Sequence, residues 1–296
     1  MVKSPLTKGT VTLIKKIPVS FIIEGYLKTF GLDTSKYFDS TDYLSLYRCD
    51  DTGYEFYHPF EIAGDENFYD FFQEKYDWYY QKDKWEYEQA LKIVNFKGAK
   101  VLEIGCGNGY FLKKALNKSA KIAEGLEFNS HAVRYCQSEG LNVSNKNLSE
   151  MPKGNFYDII CSFQVLEHIA EVNTFFKKTS SILKKNGKLI IAVPNNASVL
   201  FRNQNDLNFI NQLHTENCLL NMPPHHLGRW HYQVFKNIEV FFSLKLINVA
   251  YEPIWNDRLH YLSLLNKEDN IIQKINFKLF RPFIKGHSIL VILKKI

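Results

Sequence analysis

From residue 99 onward, short apolar runs alternate with amphipathic segments. Ala99–Ile104 is apolar, ends in glycines and reads as a strand, and Tyr110–Leu116 fits a helix. Lys121–Glu127 reads as a second strand, His131–Ser138 as a helix and Leu141–Ser144 as a weak third strand. Tyr157–Ser162 is an apolar fourth strand. Val172–Leu183 reads as a helix closed by Asn186-Gly187, and Lys188–Val193 as a fifth strand ended by Pro194. Trp230–Phe242 returns to helix, and Leu244–Tyr251 and Ser288–Leu293 are strand-like. Such alternation predicts βαβ units and a parallel sheet.

The rhythm is missing elsewhere. Residues 1–82 are rich in aromatics, and Asp83–Val94 then reads as an amphipathic helix with Trp85, Ala90, Leu91 and Val94 on one side. Residues 195–229 and 252–287 break the pattern and read as insertions. The predicted division is an N-terminal extension or lid over residues 1–82 and an α/β domain over 83–296. Trp78, Tyr79 and Tyr80 fit either a lid closing over a ligand or core aromatics.

Composition narrows the class. Hydrophobic residues make up 45% of the chain, with 23 Phe and 17 Tyr, which excludes a disordered protein. The net charge of +6 is uneven: residues 25–90 carry fifteen acidic against six basic side chains, and residues 241–296 nine basic against four acidic. A basic C-terminal region can attract a polyanion, but no dense Lys/Arg run with interleaved aromatics marks a nucleic-acid footprint, and a solvated surface is the plainer reading. Cys49, Cys106, Cys136, Cys161 and Cys218 form no paired spacing, so neither a disulfide framework nor a zinc site is expected. Cys49 with Thr52 and Gly53 looks like half of a zinc knuckle, with a threonine where the second cysteine would stand, and reads as a metal-free hairpin. Lys15, Lys16 and Pro18 interrupt the first apolar stretch, and no run reaches the roughly 20 apolar residues of a membrane span. The default expectation is a soluble cytoplasmic protein.

The chemistry points to the loop after the first predicted strand. Gly105, Gly107 and Gly109 lie directly beyond it, where a doubly wound sheet binds ligands. Glycines permit a tight turn and a close approach of ligand to backbone. Dinucleotide folds space them G-x-G-x-x-G for pyrophosphate. Here the spacing is G-x-G-x-G, and Glu103 precedes it. A carboxylate there disfavours pyrophosphate and suits an ammonium group, as methionine carries. Glu127, at the end of the second strand, can accept both hydroxyls of a ribose.

The run Val101–Phe111 resembles the first motif of class I S-adenosylmethionine-dependent methyltransferases. Gly125–Phe128 resembles the family's ribose-binding strand end, Tyr157–Ile169 its fourth-strand motif and Leu183–Ile191 its turn into the fifth strand. The resemblance covers residues 84–195 and extends more weakly beyond. It implies a Rossmann-like, doubly wound seven-stranded sheet, mostly parallel with the last strand antiparallel, with insertions after strands 5 and 6. It implies S-adenosyl-L-methionine as cofactor and S-adenosyl-L-homocysteine as product. Glu103, Gly105, Cys106, Gly107 and Gly109 would hold the methionine part, Glu127 the ribose, and Phe128 would stack beside the adenine. Asn147 and the Leu148 backbone would meet the adenine amine, and Gln164 would lie near the methionine end. Glu167 and His168 fit a common family sequence and read as structural.

Acceptor chemistry is sought in Asn221-Met222-Pro223-Pro224-His225-His226-Leu227-Gly228-Arg229-Trp230, which follows the fifth strand. It resembles a Pro-Pro-His-His-x-x-x-Trp pattern of bacterial methyltransferases linked to surface polysaccharide and other small-molecule pathways. His225 or His226 is a candidate catalytic base or substrate ligand; the alternative is a packed turn with hydrogen-bonded histidines. Adjacent histidines rarely chelate one ion together, and no carboxylate or cysteine stands at ligand spacing, so no metal is expected. The Asn/Asp-Pro-Pro-Tyr/Phe signature of base and amide N-methyltransferases is absent, because Phe163-Gln164-Val165-Leu166 occupies its place. The expectation is methyl transfer to a small-molecule oxygen, such as a sugar or polysaccharide precursor; the alternatives are an RNA or protein methyltransferase and a non-catalytic S-adenosylmethionine-binding module.

Overall fold

Successive residues of the fifth predicted strand enter opposite cores in the computed structural model, which describes residues 2–76, 81–198, 219–253 and 286–296. Leu189, Ile191 and Val193 pack into one apolar cluster, and Ile190 and Ala192 into another. This is the period of two expected of a strand covered on both faces, and it explains why the central strands read as unbroken apolar runs.

The strands of this sheet are β4 (Lys100–Ile104), β5 (Ile122–Leu126), β6 (Asn142–Ser144), β7 (Tyr157–Phe163), β8 (Leu183–Pro194), β10 (Leu244–Tyr251) and β11 (Ser288–Lys295). Their order is β10-β11-β8-β7-β4-β5-β6. The five strands from β8 to β6 are parallel, and β11 runs antiparallel to both neighbours. The chain moves outward from β4 to β6 and then returns to the other side of β4 at β7. Strand order therefore reverses beside the glycine loop, which is where such sheets bind ligands.

Helices α3 (Trp85–Ile93), α4 (Tyr110–Asn117) and α5 (Ser130–Ser138) cover one face through Tyr87, Ala90, Phe111, Leu112, Ala115, Val133 and Cys136. Helices α6 (Val172–Ile182) and α7 (Tyr232–Asn237), with Trp230, cover the other. The side chain of Asn129 caps α5 by accepting the Ala132 N–H at 2.9 Å, which fixes the chain as it leaves β5 and Glu127.

The N-terminal region carries a second sheet that its pattern did not reveal. Strands β1 (Val11–Pro18), β2 (Tyr43–Cys49) and β3 (Glu55–His58) are antiparallel, and β3 pairs with β9 (Gly228–Arg229). The knuckle-like segment is the β2–β3 hairpin. Helices α1 (Val19–Phe30) and α2 (Glu66–Lys75) complete a third apolar cluster built on Tyr26, Phe30, Phe68 and Phe72, which Leu219, Met222 and Leu227 join. The N-terminal region and the described part of the first insertion thus share one core. Trp78, Tyr79, Tyr80, Cys218, most of the first insertion and residues 254–285 of the second lie outside the described residues.

Two element boundaries differ from expectation. Asn186-Gly187 does not follow a helix end but interrupts β8, because Leu183 already pairs with Tyr157 before it. Asn186 takes a left-handed φ of 65°, and the register shifts there. The helix expected from Trp230 begins at Tyr232, since Trp230 is fully buried and bridges to Asn195. No helix among the described residues is long and apolar enough to cross a membrane.

Candidate functional site

A cavity of about 1390 Å³ opens beyond the carboxyl ends of β4, β5 and β7. Its wall takes in Gly105, Cys106, Gly107, Glu127, Phe128, Asn147, Leu148 and Gln164, together with His225 and His226 from the first insertion. Residues separated by as many as 121 positions are thereby brought into one enclosure. Glu103 and Gly109 are not wall residues. Gly109 begins α4, and Glu103 is buried at the end of β4.

The loop is held in a form that requires glycine. Gly105, Gly107 and Gly109 have φ of 71°, 50° and 70°. A methyl group on Gly105 would collide with Cγ2 of Val165, so the loop packs directly against the turn after β7. The Gly105 and Cys106 N–H groups donate to the Leu126 carbonyl at 2.8 and 3.2 Å. Glu127 completes the tie: its Oε2 accepts the Gly107 N–H at 2.8 Å and its Oε1 accepts the Asn129 N–H at 2.9 Å. A carboxylate has about four acceptor positions, so two remain for a ligand's hydroxyls.

Glu103 presents a different balance. It is 1% exposed, its Oε2 has no hydrogen-bond partner, and burial pushes its carboxyl well above the usual range. An uncompensated buried carboxylate is costly unless a cation or donor joins it.

The flanking positions are mixed. Phe128 is 70% exposed at the rim, free to cover a flat ring. Asn147 spends its side-chain oxygen on a cap, accepting from the Ser149 N–H at 2.9 Å within a capping box closed by Glu150. Gln164 adopts a φ of 55°, a conformation rare for a residue with a side chain, at the point where β7 turns into the wall.

At the other end, the turn after Pro224 is tied on several sides. His225 and His226 donate backbone N–H groups to the Met222 carbonyl, Leu227 donates to Glu167, and Tyr57 of β3 donates to Leu227. The two imidazoles stack with centroids 4.4 Å apart, and the ring of His168 stands edge-on to both at 4.8 Å. Nδ1 of His168 faces the His225 carbonyl at 2.6 Å, Nδ1 of His225 faces the Leu220 carbonyl at 2.9 Å, and Nδ1 of His226 faces Oδ1 of Asn221 at 3.3 Å. Each contact is to an oxygen acceptor, so each Nδ1 carries the proton and each Nε2 the lone pair. Burial pushes His168 down to about 4 and His225 to about 3, and holds His226 well below its ordinary value.

Tyr69 and Glu86 on the wall were not singled out from the sequence, and Glu167 and His168, read there as structural, line it too. Tyr69 Oη lies 3.2 Å from His168 Nδ1. Neither carboxylate oxygen of Glu167 has a hydrogen-bond partner, and burial pushes its carboxyl up to about 8. Burial also raises Glu86, on the first turn of α3. The signal for Glu167 and His168 was their place just past an apolar strand, where α/β sheets put functional groups. Tyr69 and Glu86 sit on helices among apolar neighbours and gave no comparable signal.

The sequence pattern of a methyltransferase domain family matches residues 79–250, more than half of the chain. The chain is similar to the ubiquinone biosynthesis O-methyltransferase of Bartonella bacilliformis, 29% identical over 106 residues, 34% of this chain and 43% of that protein. It is also similar to the enzyme of that name from Pelagibacter ubique, 30% identical over 105 residues, 33% of this chain and 43% of that protein. The chain thus spans less than half the length of these curated relatives. Among solved structures, a SAM dependent methyltransferase from Archaeoglobus fulgidus shares the fold with a TM-score of 0.53 at 21% identity, over 77% of this chain and 100% of that one. The family match over more than half its length makes the chain a member of the methyltransferase domain family.

Proposed function

We propose that the protein transfers a methyl group from S-adenosylmethionine to an oxygen of a small-molecule acceptor, a sugar or a related metabolite. The observation that carries this reading is a single cavity running from the glycine loop and Glu127 to the His168–His225–His226 cluster. Its volume of about 1390 Å³ exceeds the roughly 300–1,000 Å³ of a one-ligand pocket, leaving room for donor and acceptor side by side.

The residues present fit the donor. Glu127 keeps two acceptor positions for a ribose, Phe128 offers an exposed ring beside it, and the backbone of Leu148 lines the same wall. The orphaned Oε2 of Glu103 suits a cationic ammonium group close to the Gly105–Gly109 turn. Bound there, the donor supplies an electrophilic methyl group on a sulfonium whose departure leaves a neutral thioether.

The protein's task is then alignment of the acceptor oxygen with that methyl group, which is worth roughly 7–11 kcal/mol when geometry is right. His225 and His226 stand where they would bind the acceptor or take its proton. Their neutral Nε2 atoms are acceptors suited to a hydroxyl. The names of the curated relatives, O-methyltransferases, agree with oxygen as the target. Nine acidic side chains, among them Asp65, Glu66, Asp83, Glu88 and Glu127, stand on the wall against two basic ones, Lys84 and Lys146, which disfavours a polyanionic RNA there. The acceptor would thus be a small molecule, and the protein a cytoplasmic one.

The test is calorimetry with S-adenosylmethionine, followed by incubation with a panel of sugars, sugar nucleotides, phenols and RNA. Release of S-adenosylhomocysteine and a methyl ether located by mass spectrometry on a sugar hydroxyl would support the reading. Donor binding with methyl transfer confined to RNA would replace it.

A further inference from the structure

We propose that His168, His225 and His226 bind a divalent transition-metal ion, of the kind that zinc represents, with an open coordination position facing the cavity. The three residues come from two places far apart in sequence, the turn after β7 and the turn before β9, and one ring nitrogen from each lies within 4.8 Å of the others. All three line the cavity.

The hydrogen bonds leave the cluster able to act as a ligand set. Each Nδ1 is committed to an oxygen: the His225 carbonyl, the Leu220 carbonyl and Oδ1 of Asn221. That arrangement fixes the tautomer of all three rings and leaves Nε2 of each as the nitrogen with a lone pair. Three neutral imidazoles with a ring nitrogen each inside 4.8 Å offer donors to a cation. Metal-binding histidines show the same pattern, donating the second ring nitrogen to a carbonyl or amide oxygen that fixes tautomer and orientation. His225 and His226 stack at 4.4 Å and His168 stands edge-on to both, so the three rings are in mutual contact.

Imidazole-only ligand sets favour zinc, copper, nickel, cobalt or iron over magnesium and calcium, which take oxygen ligands. Three protein ligands leave a position open, as in catalytic zinc sites. Resting on the methyl-transfer reading above, that position would take the acceptor's hydroxyl oxygen. The ion lowers the hydroxyl's pKa, as it does that of bound water. The proton passes to solvent, the oxygen's electron pair forms the new O–C bond, and the C–S bond breaks with its electron pair returning to sulfur.

The experiment uses the full chain stripped of metal with a chelator. Co²⁺ alone and Zn²⁺ alone are titrated in, followed by calorimetry and visible absorption, with S-adenosylmethionine binding measured on the same sample. The expected result is one Co²⁺ per chain, ligand-field bands of a low-coordinate nitrogen site, displacement by Zn²⁺, and three imidazoles in the X-ray absorption of the wild-type zinc form. His168→Asn and His226→Asn should each abolish the bands while retaining donor binding. Because the X-ray absorption arm needs no variant, a variant that misfolds does not blunt the test. Donor binding without stoichiometric uptake of either ion would overturn the metal site and leave the methyl-transfer reading intact. Metal uptake through the three imidazoles without donor binding would support the site and overturn that reading.

Discussion

Gly107 donates its backbone N–H to Oε2 of Glu127 at 2.8 Å, so the carboxylate at the end of β5 is oriented by the loop that follows β4. Loop and carboxylate form one unit, and each positions the other. Glu127→Ala removes both the tie and the proposed ribose acceptor. Hydrogen bonds to a charged group are worth about 1.5–3 kcal/mol, so donor affinity should fall roughly 10- to 150-fold. Calorimetry with S-adenosylmethionine reads this directly, and unchanged affinity would place the ribose elsewhere.

Gly105 offers a test of the loop that separates shape from conformation. Gly105→Ala meets Val165 and also strains a φ of 71°. Overpacking costs about 1–3 kcal/mol and the left-handed conformation about 1–2 kcal/mol more. Adding Val165→Ala to this variant should restore the steric part and leave the conformational part. Thermal melting of the two single variants and the double variant measures that coupling. Additive losses would show that Gly105 and Val165 do not press on one another.

How much of this was readable in the sequence follows from where each contact is made. The loop and Glu127 were legible because they sit at the ends of β4 and β5, whose apolar runs and glycines are local signals. The histidine cluster was legible only by two-thirds. His225 and His226 announce themselves as neighbours, but His168 joins them from 57 residues away through packing alone. Spacing along the chain therefore shows no third histidine beside them. The N-terminal sheet was opaque for another reason. Its β1 carries Lys15 and Lys16, and β9 is two residues long, so neither shows the alternation that marks a half-buried strand. Asn186-Gly187 misled because a turn signal was absorbed as an irregularity inside β8.

Asp65 predicts a pH dependence of stability. Burial works against its ionisation, but hydrogen bonds from Tyr37, Lys36 and the Phe68 N–H outweigh it and hold the carboxyl at about 2, below the ordinary 3.8. A depressed pKa contributes stability that is fully present above pH 4 and is lost as pH falls toward 2. Asp65 also caps α2, a role whose removal costs about 0.5–2 kcal/mol. Asp65→Ala should lower the melting temperature at pH 6, and the gap from wild type should close between pH 4 and pH 2. A gap that is constant over that window would show that the carboxylate's charge contributes nothing.

The pair Glu55 and Arg229 joins the N-terminal sheet to the histidine-bearing turn. Nε of Arg229 lies 3.1 Å from Oε2 of Glu55, and its side chain is 3% exposed. The bond spans β3 and β9, three residues beyond His226. Breaking a buried pair by removing one partner strands a charge and costs about 3–5 kcal/mol. Glu55→Gln should therefore lower the melting temperature on the order of 10 °C for a chain of this size. Arg229→Met with Glu55→Leu removes both buried charges and should recover most of that loss, because an apolar pair of similar volume replaces a desolvated one and Arg48, the second partner of Glu55, is exposed to water. If the pair only stabilises, donor binding survives in all of these variants. If it also places His225 and His226, methyl transfer falls in the singles even where donor affinity holds, and a split between donor binding and turnover distinguishes the two roles.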